Sequence, residues 1–225
     1  MAAVPLVELP GCRNFRDVGG TVTRAGATIV RGRLFRSAAP SAATDLVGGL
    51  GIRRVIDLRA SSELVIGDDN QAFPRWEHLH IPFFETIQPR WSSPSDRTPQ
   101  ATAARYFEML EEGRHSLLEI VGILGISDSR PTLIHCVSGR DRTGIVIACV
   151  LELLGVPDEA IAEDYALSDV MDDAEGRNAN PENVLLLLRL IRQRYASTRE
   201  MLRLMGAPQE IFKALSDALL DVPSV

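Results

Sequence analysis

The chain has 225 residues, of which 45% are hydrophobic, with a formal charge of −6 and a pI near 5.3. That length and apolar share are enough for one compact core, read as a single domain over residues 1–225, and the acidic balance gives no support for a nucleic-acid binder. Three cysteines, Cys12, Cys136 and Cys149, are odd in number and widely spaced, which excludes a disulfide framework and a close metal-ligand set.

The first residues, MAAVPLVELPG, lack a basic segment followed by an apolar one, and Val184 to Ile191 is interrupted by Arg189. The expectation is a cytoplasmic protein with no integral membrane segment. RNFRDVGG at 13–20 reads as a polar turn, with Arg13, Arg16 and Asp17 on its surface or at the rim of a site. Thr28 to Phe35 predicts one or two short strands around Gly32, and Thr44 to Gly51 a short helix with an acidic start. Arg54 to Leu58, RVIDL, suits a buried parallel strand, and His78 to Pro82 is a further strand. Ile87 to Gln100 is rich in proline and serine and predicts a loop. Two helices are expected next, Ala101 to Leu110 and Ser116 to Ile126, with a turn at Asp128 to Pro131.

Thr132 to Ile134 then predicts a strand ending at His135 and Cys136. Gly155 and Pro157 stop the helix that follows. Further helices begin at Pro157, at Asn180-Pro181-Glu182 and at Pro208. Helix, strand, loop and helix in this order argue for an α/β layer structure with a helical C-terminal third.

The stretch TLIHCVSGRDRTG at 132–144 organises the rest. A thiolate that cleaves a phosphate monoester must be ionised near neutral pH, must face donors for the phosphoryl oxygens and needs a proton for the leaving oxygen. Cys136 at the mouth of a strand-to-helix turn meets the first demand, because a helix N-terminus and nearby cations lower a thiol pKa. Successive N–H groups of Val137, Ser138, Gly139, Arg140 and Asp141 can curl into an anion nest. Arg142 can offer a planar fork to two phosphoryl oxygens, and Thr143 can donate to the sulfur. His135 points away from Cys136 if the strand alternates, which suits support rather than proton transfer. Cys149 sits mid-helix among apolar residues and reads as core; Cys12 reads as inert, or as a redox neighbour of Cys136. The proton donor is open at this point between Asp141 inside the loop, Asp57 at the end of the RVIDL strand and Asp96. Asp57 has a second reading as a buried partner for Arg59 or Arg142. Tyr165 and Trp91 read as packing groups.

HCVSGRDRTG resembles the signature loop of the protein tyrosine phosphatases, and more narrowly that of bacterial tyrosine and dual-specificity phosphatases reading His-Cys-x-x-Gly-Lys-Asp-Arg-Thr-Gly. RNFRDVGG, GRLFRSA at 32–38, VIDLR at 55–59 and DYALSD at 164–169 match other segments of that family. The resemblance implies a cysteine-phosphatase α/β fold, with a central, mostly parallel sheet flanked by helices and a helical lid at about 181–206. It also implies a phosphocysteine intermediate, no metal and no cofactor. Cys136 would be the nucleophile, Arg142 the phosphate clamp, Asp141 the acid, and Asn14 and Asp17 structural neighbours of the loop. Its substrates would be phosphorylated proteins or peptides, with phosphoinositides as a further class. Arg140 departs from the family's Lys, which bears on how a second phosphate is held. A rhodanese-like sulfurtransferase and a non-catalytic phosphotyrosine-binding module are the competing readings.

Overall fold

The computed structural model describes residues 12–40, 50–64, 76–85, 98–126, 130–169 and 179–221. The helix expected at 44–51, most of the 87–100 loop with Trp91 and Asp96, and the turn at 128–131 lie wholly or largely outside the described residues.

Three four-residue strands form the centre because they are buried on both faces: β3 (Leu34–Ser37), β4 (Arg54–Asp57) and β6 (Thr132–His135). With β1 (Arg16–Asp17) and β5 (Glu77–His80) they make a five-stranded sheet in the order β1-β3-β6-β4-β5. Only β1 runs antiparallel to its neighbour; the other pairings are parallel. The register places Phe35, Leu133 and Val55 in one row and Arg36, Ile134 and Ile56 in the next. Alternation then divides the strands between two cores. Leu34, Ile56 and Ile134 enter the larger one, whereas Phe35, Val55 and Leu133 join Cys12, Phe15 and Ile52 in the smaller. The same register brings Ser37, His135 and Asp57 level at the C-terminal edge.

Helices α1 (Pro99–Leu124), α2 (Asp141–Leu153), α3 (Asp158–Ala166), α4 (Pro181–Tyr195), α5 (Thr198–Leu204) and α6 (Gln209–Leu219) complete the described fold. Helix α1 packs against α2, α4 and α6, and α2 packs directly on β3 and β6. A separate two-stranded sheet pairs β2 (Thr28–Ile29) with β7 (Leu220–Asp221).

Two sequence expectations are corrected. The two helices expected between 101 and 126 are one, α1, capped by the Thr98 side chain and started by Pro99. Gly113 within it is a packing requirement: a Cβ there would lie 2.5 Å from the Phe83 carbonyl oxygen. Helix α2 begins at Asp141, and Arg142 sits in its first turn as expected of a strand-to-helix loop. Arg16, expected at the surface or rim of a turn, is fully buried in β1.

Candidate active site

The segment from Cys136 to Arg140 joins β6 to α2, and its carbonyls are all engaged from behind. His135 O accepts from Leu58 N (2.8 Å), Val137 O from Ala39 N (3.1 Å) and Arg140 O from Gly144 N (2.8 Å). Ser138 O accepts from Asn14 Nδ2 at 2.7 Å and Gly139 O from Arg36 Nη2 at 2.9 Å. Nδ1 of His135 lies 3.2 Å from Cys136 O, and because a carbonyl only accepts, that nitrogen carries the proton. Six consecutive carbonyls are thus held outward. Among the described residues, no backbone N–H from Val137 to Arg142 donates to a backbone carbonyl. Such a run of unspent N–H groups at the start of a 13-residue helix is an anion-binding geometry. Gly139 permits the curl with φ of +73°.

Cys136 lies at the floor, 1% exposed, whereas Val137 on the rim is 47% exposed. Its sulfur is in the electrostatic field of two guanidinium groups, Arg36 and Arg142. Arg142 is held at one end by Glu63: Nη2 donates to Oε1 at 2.8 Å and Nη1 donates to Oε2. Nη1 also donates to Leu58 O at 3.4 Å, and Phe84 lies under the guanidinium at 5.3 Å. Of the five N–H donors, Nε–H and one on Nη2 remain side by side, the edge that grips two phosphoryl oxygens. Burial alone would raise the Glu63 carboxyl; hydrogen bonds from Arg142 and the Ala60 N–H hold it below the ordinary range. Nothing in the sequence marks Glu63, which lies 79 residues from Arg142.

Beneath the loop sits a charge cluster that sequence reading also missed. Asp164 in α3 takes Arg16 Nε at 2.8 Å and Arg36 Nη1 at 2.5 Å, and both arginines reach Ser168 Oγ. Burial raises the Asp164 carboxyl, but the two cations bring it down to about 2. Arg36 is lowered to about 10 by burial and by Arg16, against the pull of Asp164. Two cations against one carboxylate leave a net positive charge under the cradle. The segments that carry these residues, RNFRDVGG, GRLFRSA and DYALSD, are those the resemblance singled out.

The candidate acids differ sharply in setting. Asp141 is 36% exposed on its side chain, with Oδ1 3.5 Å from Arg140 Nε. Tyr106 Oη donates to the same Oδ1. Arg140 itself is buried rather than extended into solvent. Asp57 is fully buried, and both its oxygens are taken by Arg59, through Nε at 3.0 and 3.1 Å and Nη2 at 2.8 Å. Burial raises its carboxyl, but His135 and Arg59 outweigh that and lower it. Asp57 faces His135 across the sheet rather than the mouth of the site, so its reading as a buried partner of Arg59 fits and its reading as an acid does not. Asp17 closes a turn: Oδ1 accepts from Gly19 N and Oδ2 from Gly32 N, each at 2.8 Å. Thr143 Oγ1 is buried with no hydrogen-bond partner among the described residues, so its expected donation to Cys136 is not made. Asn14 Oδ1 and Arg36 Nε are likewise unpaired, and all three residues border the loop.

Asp57, His78 and His135 offer ligand atoms within 4.8 Å of one another. Their donors are already committed, since Arg59 covers both Asp57 oxygens and His135 Nδ1 faces a carbonyl. Burial lowers His135 to about 4, so its ring is neutral at pH 7. Cys149 is buried inside α2 and its thiol is pushed up by burial. A cavity of about 380 Å³ lined by Arg24, Glu152, Arg192 and Arg199 lies at the far end of α2, about 18 Å along the helix from the loop. No helix among the described residues is long and apolar enough to cross a membrane.

PtpB of Mycobacterium tuberculosis, a triple specificity protein phosphatase, is 33% identical over 196 residues, covering 72% of this chain and 68% of its own length. A tyrosine-protein phosphatase of Nostoc commune is 27% identical over 125 residues, covering 55% of this chain and 42% of its own length. Among solved structures, the core catalytic domain of the PP-IP phosphatase SIW14 from S. cerevisiae covers 85% of this chain and 95% of its own, at 17% identity and a TM-score of 0.47. TpbA of P. aeruginosa covers 84% and 90%, at 20% identity and a TM-score of 0.37. The model of the tyrosine phosphatase family matches residues 7–221, from before β1 to the end of β7, and the chain belongs to that family.

Proposed function

We propose that this protein is a phosphomonoester hydrolase that works through a Cys136 thiolate and a phosphocysteine intermediate. The observation that carries the reading is the outward tethering of the six carbonyls from His135 to Arg140, which leaves the intervening N–H groups unspent beside Cys136. A sulfurtransferase also needs an anion loop but calls for no guanidinium held by Glu63, whereas a phosphate-binding module would share both features and differs only in lacking turnover.

In the first step the Cys136 sulfur attacks phosphorus, an S–P bond forms and the P–O bond to the leaving group breaks. Asp141 passes its proton to the leaving oxygen. The N–H groups of Val137, Ser138, Gly139, Arg140 and Asp141, with the free edge of Arg142, take the charge on the equatorial oxygens. In the second step water attacks phosphorus, gives its proton to the Asp141 carboxylate, and the S–P bond breaks to release phosphate and the thiolate. Thr143 Oγ1, buried beside the loop without a partner among the described residues, makes no bond to the sulfur here and would have to turn to assist its departure. His135, Asp57 and Asp17 act as support: the first two brace the strand ends and the third closes the turn before β2.

The substrate proposed is phosphotyrosine, with phosphoserine, phosphothreonine and phosphoinositides as further members of the range. PtpB is named a triple specificity phosphatase, and the same breadth is the working proposal here. Arg140 is tied toward Asp141, so a second phosphate would have to draw it outward.

Turnover of p-nitrophenyl phosphate, with acid-quench mass spectrometry for a phosphate adduct on Cys136, tests the mechanism. Cys136→Ser should abolish hydrolysis and keep phosphate binding, and Arg142→Ala should damage both. Turnover of thiosulfate with a persulfide on Cys136, in place of phosphate release, would overturn the proposal. Rates on phosphotyrosine peptide, phosphoserine peptide and phosphoinositide then set the range.

A further inference from the structure

Four side chains from four helices form a hydrogen-bonded line that ends on Asp141. Asn183 of α4 places Nδ2 3.4 Å from Tyr165 Oη in α3. Tyr165 Oη lies 2.8 Å from Tyr106 Oη in α1, and Tyr106 Oη donates to Asp141 Oδ1 in α2. The direction of donation along the line is forced. A carboxylate oxygen accepts, so Tyr106 spends its only proton on Asp141. Its oxygen must then accept from Tyr165, and the Tyr165 oxygen from the Asn183 amide. Every donor points the same way, and each bond polarises the next.

The hydroxyls are not needed for packing. The two rings meet edge to face, with centroids 6.3 Å apart at 75°, and phenylalanine at either position would keep that contact. Both tyrosines are buried, and a buried hydroxyl is tolerated only with a partner. Burial and the nearby Asp141 carboxylate raise the Tyr106 hydroxyl well above 10, and burial raises Tyr165 to about 12, so both keep their protons at neutral pH.

We propose that Tyr106, backed by Tyr165 and Asn183, is the positioning residue for Asp141. It occupies Oδ1 as an acceptor and leaves Oδ2 as the oxygen that carries the proton to the leaving group. Tyr106 keeps its own proton throughout and touches no reacting atom. The inference rests on the reading of Asp141 as the acid. Among the described residues, the other charged groups facing Asp141 are Arg140, at 3.5 Å, and Arg142 in the next position.

With Oδ1 unpinned in Tyr106→Phe, kcat on phenyl phosphate, a poor leaving group, should fall about 10- to 100-fold. On p-nitrophenyl phosphate, whose leaving group needs little protonation, kcat should stay within about threefold of the parent enzyme. Tyr165→Phe should do the same in weaker form, and it carries the test if Tyr106→Phe does not fold. Equal losses on both substrates would overturn the proposal. Asp141→Asn, measured alongside, separates the two failures. If it discriminates between the leaving groups and the tyrosine variants do not, only the positioning role falls. If Asp141→Asn does not discriminate either, the acid assignment falls and this inference with it.

Discussion

Replacing Gly139 by alanine puts the geometry of the loop to a quantitative test. Its φ is +73°, and an added Cβ would lie 2.4 Å from the backbone of Ser37 and Ala38. Neither neighbour can yield easily, because Ser37 ends β3 beside β6 and Ala38 N is bonded to Arg13 O at 2.8 Å. The left-handed backbone costs a residue with a side chain roughly 1–2 kcal/mol. Overpacking against main chain adds roughly 1–3 kcal/mol, so the total is roughly 2–5 kcal/mol. Relief instead requires the loop to move by about 1 Å, a displacement that can cost about 100-fold in rate. Gly26→Ala is the control: its φ is +84° but no atom lies within 4 Å of the added Cβ, so it carries the backbone cost alone. Urea unfolding followed by circular dichroism, with p-nitrophenyl phosphate turnover, measures both variants. If Gly139→Ala is no less stable than Gly26→Ala and keeps its kcat within about threefold, the close seat of the loop against β3 is wrong.

Glu63→Ala should lower kcat about 10- to 100-fold by freeing the Arg142 fork; an unchanged kcat would show that the fork needs no anchor. Asp57→Ala strands a buried Arg59 and should cost roughly 3–5 kcal/mol by urea titration, with no discrimination between good and poor leaving groups in the protein that remains folded. Acid should destabilise the fold in two stages. His135 falls from 6.5 in the unfolded chain to about 4 in the fold, so the unfolded state binds the proton first and stability drops as pH falls from 6.5 to 4, by about 3 kcal/mol. Asp164, lowered to about 2, extends the loss below pH 4 as its ion pairs with Arg16 and Arg36 are titrated. Urea midpoints at pH 7, 5 and 4 measure the slope, and His135→Gln should flatten its upper part; a parent protein with equal midpoints at pH 7 and 4 would refute the assignment.

Local chemistry determined a large part of this protein from its residues alone. The short stretches RVIDL at 54–58 and TLI at 132–134 read as strands through their β-branched residues, and Asn180-Pro181 and Pro208 mark helix starts by rules that need no neighbours. The Cys136-to-Arg142 loop was legible because its spacing is a local property of a strand-to-helix turn. Its surroundings were not, for a physical reason. Glu63 meets Arg142, Arg36 meets Gly139, and Tyr106 meets Asp141 across 79, 103 and 35 residues, contacts set by the order in which strands stack in the sheet. Arg16 looked peripheral for the same reason, since only the pairing of β1 with β3 carries it over Asp164. A side chain's charge is written in its residue, but the partner that allows it to be buried is chosen by the packing of the whole chain.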